Sequence, residues 1–124
     1  MDKVLLVDDT KSYRDKMGGI LRENGFEVVE VASSEEALSV LEKDASTFNL
    51  IVSDLHMGKV SGLDLAKIIK KEKLTEVPIM MVTTETEMSQ VIKALEAGAN
   101  EYVIKLFTKE IIREKLALLG VVNL

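Results

Sequence analysis

Five short apolar runs divide the chain, each separated from the next by enough residues for a helix. They read KVLLV at 3–7, EVVEV at 27–31, NLIVS at 49–53, PIMMV at 78–82 and EYVI at 101–104. The runs that begin at Val4, Leu50 and Ile79 are nearly unbroken, as strands buried on both faces of a parallel sheet are. The second run carries Glu27 and Glu30, which predicts an edge strand. Between the runs, apolar positions recur with helical spacing. Tyr13, Met17, Ile20 and Leu21 make the first such stripe. Ala37, Leu38 and Leu41 follow the capping pattern Ser33-Ser34-Glu35-Glu36. Leu65, Ile68 and Ile69 mark a third helix, Met88, Val91, Ile92 and Leu95 a fourth, and Ile111, Ile112 and Leu116 a fifth. Gly25 and Gly98 are predicted to be left-handed helix stops that turn the chain into the next strand.

Strict alternation of strand and helix predicts a doubly wound α/β fold, with right-handed crossovers and helices on both faces of a parallel sheet. Periodicity leaves the strand order open. A length of 124 residues suits one domain spanning 1–124, and no repeat or Pro/Gly-rich linker interrupts it. Cysteine is absent, which removes disulfides and thiolate metal sites from consideration. The net charge of −5 argues against nonspecific nucleic-acid binding. No apolar stretch approaches the roughly 20 residues of a membrane span. Met1-Asp2-Lys3 runs into the first strand without a signal-peptide layout. A cytoplasmic location is expected.

In a doubly wound sheet, ligands bind beyond the carboxyl ends of the strands. The residues there are Asp8 and Asp9 after the first run, Asp54 after the third, Thr83 after the fourth and Lys105 after the fifth. The second run ends in Val31-Ala32 and brings nothing polar. Taken singly, Asp8-Asp9 would cap a helix, Thr83-Thr84 would do the same, and Lys105 would be a solvated charge. Taken together they form a coherent chemical set. Close carboxylates repel by roughly 1–4 kcal/mol per pair, depending on screening. A hard divalent cation relieves that repulsion, and an all-oxygen ligand set favours Mg²⁺ over Zn²⁺. A carboxylate also serves as a nucleophile that yields an acyl phosphate. Asp54, Lys105 and Thr83 match the needs of such a site, with the cation, the ammonium and the hydroxyl holding the phosphoryl oxygens.

The segments VLLVDD, IVSDLHM with SGLDL, PIMMVTT and EAGANEYVIK with Phe107 resemble the response-regulator receiver family from about Lys3 to Leu119. Their order and spacing are specific, and the chain is most similar to single-domain, chemotaxis-type (CheY-like) receivers without an output domain. The resemblance implies a flavodoxin-like sheet of order 2-1-3-4-5 with five helices. It implies a signalling switch rather than an enzyme, with Asp54 as phosphoacceptor for a histidine kinase. It further implies Mg²⁺ held by Asp9 directly, by Asp8 through water, by Asp54, and by the backbone carbonyl of His56. Lys105 would pair with Asp54 or its phosphoryl group, Thr83 would move toward the phosphoryl oxygen, and Tyr102 would turn inward. His56, Thr84 and Glu85 flank the phosphoryl position and would tune hydrolysis. The face of the fourth helix, fifth strand and fifth helix would bind a downstream target through Met88, Val91, Tyr102 and Lys115. Met88 and Val91 are also explained as core packing. A monomer or weak dimer is expected.

The sequence departs from the family pattern at several places. Leu106 stands where a Pro with a cis peptide usually follows the lysine, and a cis bond before a non-proline residue costs about 2.5–4 kcal/mol. A trans Lys105–Leu106 bond and a somewhat displaced Lys105 are therefore expected. Thr84 replaces a usual small residue, and its bulk would slow entry of phosphodonor or water. Gly58 replaces a frequent Pro, and Glu85 and Glu87 make the target surface more acidic than in flagellar-switch binders. Two other readings fit the pattern less well. A Mg²⁺-dependent aspartyl phosphohydrolase usually has a second acid two residues after its nucleophile, where His56 stands here. A pseudo-receiver, acting only as an interaction module, usually lacks one of the acidic or lysine residues that are all present here.

Overall fold

The structure is a computed structural model that describes residues 2–84 and 86–122. Strands β1 (Lys3–Val7), β2 (Glu27–Val31), β3 (Leu50–Asp54), β4 (Ile79–Thr83) and β5 (Glu101–Ile104) alternate with helices α1 (Lys11–Glu23), α2 (Ser34–Asp44), α3 (Gly62–Lys71), α4 (Met88–Glu96) and α5 (Lys109–Leu118). A short 3₁₀ turn, Ala45–Thr47, follows α2. The strands form one parallel sheet in the order β2-β1-β3-β4-β5. β2 is an edge strand, and its Glu30 pairs with Arg22 at 2.8 Å rather than facing the core.

The alternation of side chains along each strand builds two cores. Leu5, Val7, Ile51, Ile79 and Met81 face one side and pack with Leu41 of α2, Leu65 and Ile69 of α3 and Ala94 of α4. Val4, Leu6, Leu50, Val52, Met80, Val82 and Val103 face the other side, against Met17, Ile20 and Leu21 of α1 and Ile112 and Leu116 of α5. Ser33 caps α2 by accepting from the Glu36 N–H at 3.1 Å, as the sequence pattern predicts. Gly25 and Gly98 have φ of 90° and 117° and close α1 and α4.

Strand bounds and two alternative structural readings change. β3 and β4 each run one residue later than their apolar runs, because Pro78 has no N–H to give and pairing continues to Asp54↔Val82 and Thr83↔Ile104. Asp54 and Thr83 are therefore the last residues of their strands. Thr83-Thr84 does not cap α4, whose N-cap is Glu87. Core packing does not account for Met88, which is 69% exposed, while Val91 is half-buried. Only Ala94 of α4 is buried, so small residues bring this helix against the sheet and its large apolar side chains point outward. Ile92 and Leu95 share that outward stripe with Met88.

Gly62 opens α3 directly against the backbone of β3. Its N–H donates to the Leu55 carbonyl at 2.8 Å, and a Cβ at this position would collide with the carbonyl oxygen of Asp54. Ser61 caps the same helix by accepting from the Asp64 N–H at 3.0 Å. The tight seat predicts that Gly62→Ala costs about 1–3 kcal/mol. Chemical denaturation measures it, and an unchanged midpoint would contradict so close an approach.

Candidate functional site

Parallel pairing puts every strand's carboxyl end at the same edge of the sheet, and the register sets what meets there. Val7 lies opposite Ser53, so Asp8 comes beside Asp54. Ile104 lies opposite Thr83, which brings Lys105 to the same rim. Its backbone N–H donates to the Thr83 carbonyl at 2.8 Å. One oxygen from each of Asp8, Asp9 and Asp54 lies within 4.8 Å of the others. Asp8 and Asp54 are buried and Asp9 is exposed, so the cluster opens to solvent on one side. The Lys105 ammonium lies 3.1 Å from Asp8 Oδ2 and 3.1 Å from Asp54 Oδ2. Thr83 is buried at the same rim.

Backbone contacts fix these groups. The Asp8 side chain accepts from the Thr10 N–H at 2.9 Å, which turns the chain into α1. Arg14 Nη1 donates to the Asp8 carbonyl at 2.7 Å while its Nε lies 3.8 Å from Glu30, tying the acidic turn to the edge strand. The His56 N–H donates to Asp54 Oδ1 at 3.3 Å, and the Ser53 hydroxyl donates to the Asp54 carbonyl at 2.9 Å. The His56 side chain is exposed in the β3–α3 loop.

Burial pushes the Asp54 carboxyl above its ordinary range, and the neighbouring Asp8 charge pushes the same way. Lys105 and the His56 N–H pull it down without reversing the shift. Burial alone works against the Lys105 ammonium, but the hydrogen bonds and charges of Asp54 and Asp8 outweigh it and hold its pKa above the ordinary lysine value. Three carboxylates gathered at the rim with one ammonium, which pairs with two of them, leave it net negative. Its all-oxygen donor set and open side fit a hard divalent cation such as Mg²⁺.

The peptide bonds among the described residues are all trans, Lys105–Leu106 included. With this trans bond the Lys105 ammonium reaches both Asp8 and Asp54. Thr84 is exposed and lines a shallow cleft with Tyr13, Thr86, Ile104, Lys105 and Leu106. Glu85 lies outside the described residues. Tyr102 is half-buried against the core beneath α4, and Lys115 pairs with Glu101 at 3.0 Å. Met88 and Val91 lie on α4, Tyr102 on β5 and Lys115 on α5. Sequence reasoning missed Tyr13, whose ring lies under Lys105 with the ammonium 4.1 Å from its centroid, and it assigned no role to Arg14 or Gly62.

The family model described as "Response regulator receiver domain" matches residues 4–117. The chain belongs to this family. It is similar to chemotaxis protein CheY1 of Helicobacter pylori, at 38% identity over 92% of this chain and 93% of that protein. Chemotaxis protein CheY of Pseudomonas aeruginosa is 35% identical, with 92% of each chain covered. Among solved structures, Vibrio cholerae CheY4 superposes with a TM-score of 0.87 at 32% identity, covering 96% of this chain and 98% of that one. A two-component response regulator from Clostridium difficile does so with a TM-score of 0.87 at 27% identity, over 97% and 96% of the two chains. This receiver domain is thus a CheY-like signalling module with the sheet order its resemblance implies. No helix among its described residues is long and apolar enough to cross a membrane.

The electrostatics of the rim predict how stability responds to charge. Asp54 binds its proton more tightly in the folded receiver than in the unfolded chain, whose reference value is 3.8. The stabilisation from the protonated form is present at low pH and is lost as pH rises from that value through the raised folded one. At neutral pH the ionised Asp54 is a net cost. Asp54→Asn should therefore raise the cation-free receiver's thermal midpoint at pH 7 by about 3–5 °C, for roughly 1 kcal/mol of relieved repulsion, and the gain should shrink in acid. A lowered midpoint at pH 7 would show that pairing with Lys105 outweighs burial and repulsion.

Proposed function

We propose that this receiver is a phosphorylation-dependent switch of two-component signalling that accepts a phosphoryl group on Asp54 from the phosphohistidine of a sensor kinase. The observation that carries the reading is the meeting of Asp8, Asp9 and Asp54 within 4.8 Å, with Lys105 3.1 Å from two of them, at the rim where Thr83 ends β4. Asp8, Asp9, Asp54 and the His56 backbone carbonyl would hold Mg²⁺, which when bound supplies positive charge to the phosphoryl oxygens and relieves the crowded carboxylates.

An Asp54 carboxylate oxygen forms the new bond to phosphorus as the donor's P–N bond breaks, and that bond's electron pair leaves with the imidazole nitrogen. The Lys105 ammonium turns from the carboxylates to a phosphoryl oxygen, and the Thr83 hydroxyl donates to another. Desolvation around Asp54 strengthens both contacts. The product is an acyl phosphate that this site itself hydrolyses, with His56, Thr84 and Glu85 tuning access of water. The receiver turns over no separate substrate.

The added charge and hydrogen bonds draw Thr83 toward the phosphoryl group, and Tyr102 moves into the space behind it. The α4–β5–α5 face thereby shifts between two arrangements. The outward stripe of Met88, Ile92 and Leu95, with Val91 and Lys115 beside it, gives a protein target an apolar surface to read. Nucleic acid and membrane are not partners in this scheme, which runs in the cytoplasm with a receiver that is a monomer or weak dimer.

Incubation with acetyl phosphate and Mg²⁺, read by intact mass, tests the reading. Wild type should gain one phosphoryl group, and chelation of the cation should stop the gain. Asp54→Ala should gain none. A wild type that stays unmodified by acetyl phosphate and by a histidine kinase would favour an interaction module that works without phosphate. Steady release of phosphate from a small phosphoester would favour a hydrolase.

A further inference from the structure

Helix α1 grips the segment after β5 at two points, and the two contacts are chemically reciprocal. Tyr13 offers its ring to Lys105, whose ammonium lies 4.1 Å from the ring centroid. Almost one turn further along α1, Lys16 places its ammonium 4.5 Å from the centroid of Phe107 and donates to the Phe107 carbonyl at 3.1 Å. Both separations are within the reach of a cation–π attraction, in which the negative face of a ring holds an ammonium.

Lys105 needs such a hold. Its backbone is anchored to Thr83, but four rotatable bonds separate that anchor from the ammonium. Leu106 gives the loop no restraint through packing, since its side chain is 89% exposed. The ammonium's other partners are Asp8 and Asp54. Those carboxylates are the groups that would engage a divalent cation or carry a phosphoryl group, and their oxygens would then be shared between that ligand and the ammonium. The Tyr13 ring has no such second ligand to serve.

We infer that Tyr13 is a positioning residue whose ring face keeps the Lys105 ammonium aimed at Asp54 while the carboxylates exchange partners. The kinetic consequence rests on the phosphoacceptor reading of Asp54; the contact itself does not. The ring face carries the effect and the phenol hydroxyl does not. Tyr13 also heads the apolar stripe of α1, so a packing role has to be separated from a positioning one.

Three variants make the separation. Tyr13→Phe keeps the ring, Tyr13→Leu removes it, and Tyr13→Met removes it while keeping a long apolar side chain. The first readout is the NMR shift of the Lys105 ε-methylene protons in cation-free protein, which a ring face moves upfield. The expected result is an upfield shift in wild type and Tyr13→Phe, and an ordinary lysine shift in the other two. The second readout is the rate of phosphorylation by acetyl phosphate at saturating Mg²⁺. Tyr13→Phe should match wild type, while Tyr13→Leu and Tyr13→Met should be about tenfold slower at unchanged Mg²⁺ affinity. Wild-type rates in both ringless variants would overturn the proposal, as would equal slowing in Tyr13→Phe or an ordinary Lys105 shift in wild type. A wild type that shows the shift but takes no phosphoryl group would overturn the phosphoacceptor reading and, with it, the kinetic half of the proposal.

Discussion

The electrostatic conflict at the carboxyl edge of the sheet governs the rest of this molecule. Three carboxylates and one ammonium are crowded into a space where burial already disfavours charge on Asp54. The ammonium of Lys105 compensates two of the acids at 3.1 Å, yet a net negative charge remains. A protein selected only for stability would not keep such a cluster, because one apolar or neutral residue would relieve it. In the proposed switch the repulsion is put to use, because a divalent cation and a phosphoryl group would each offset part of the crowded charge.

The fold builds this conflict with ordinary means. Parallel pairing delivers the strand ends together, and a fixed register sets Asp8 beside Asp54 and Lys105 beside Thr83. Two cores, one on each face, hold the sheet rigid beneath the rim. Around it, small devices remove slack: Arg14 on the Asp8 carbonyl, the His56 N–H on Asp54, and Gly62 pressed on the Asp54 backbone. Helix α4 is attached differently. It meets the sheet through small residues and leaves its large apolar ones outside, so fewer buried contacts hold it in place.

Much of this was legible in the sequence because strands announce themselves by composition, and a parallel sheet makes their ends coincide. Asp8, Asp9, Asp54, Thr83 and Lys105 could be gathered from spacing alone, and the bounds of β1, β2 and β5 could be read directly. The limits of β3 and β4 could not, since a strand's last residue depends on how far its neighbour extends. The direction of the α4 stripe was also hidden. Helical spacing shows that Met88, Ile92 and Leu95 share a face, but which face meets the sheet depends on Ala94 and Ala97, whose small size makes close approach possible. Tyr13 read as one more apolar position beside Met17, because nothing local reveals that a lysine ninety-two residues away ends over its ring. The trans bond before Leu106 followed from the energetics of non-proline peptides. The pairing of Lys105 with Asp54 followed from the family resemblance, and the trans bond does not prevent it.

Titration with Mn²⁺, followed by NMR relaxation, measures most directly whether the acidic rim is a cation site. The account predicts saturable broadening at one position, strongest for Asp8, Asp9, Asp54 and His56 and present at Lys105, with Mg²⁺ reversing it by competition and Asp54→Asn weakening it. Broadening spread over the acidic surface without saturation, or centred away from β1 and β3, would contradict the account.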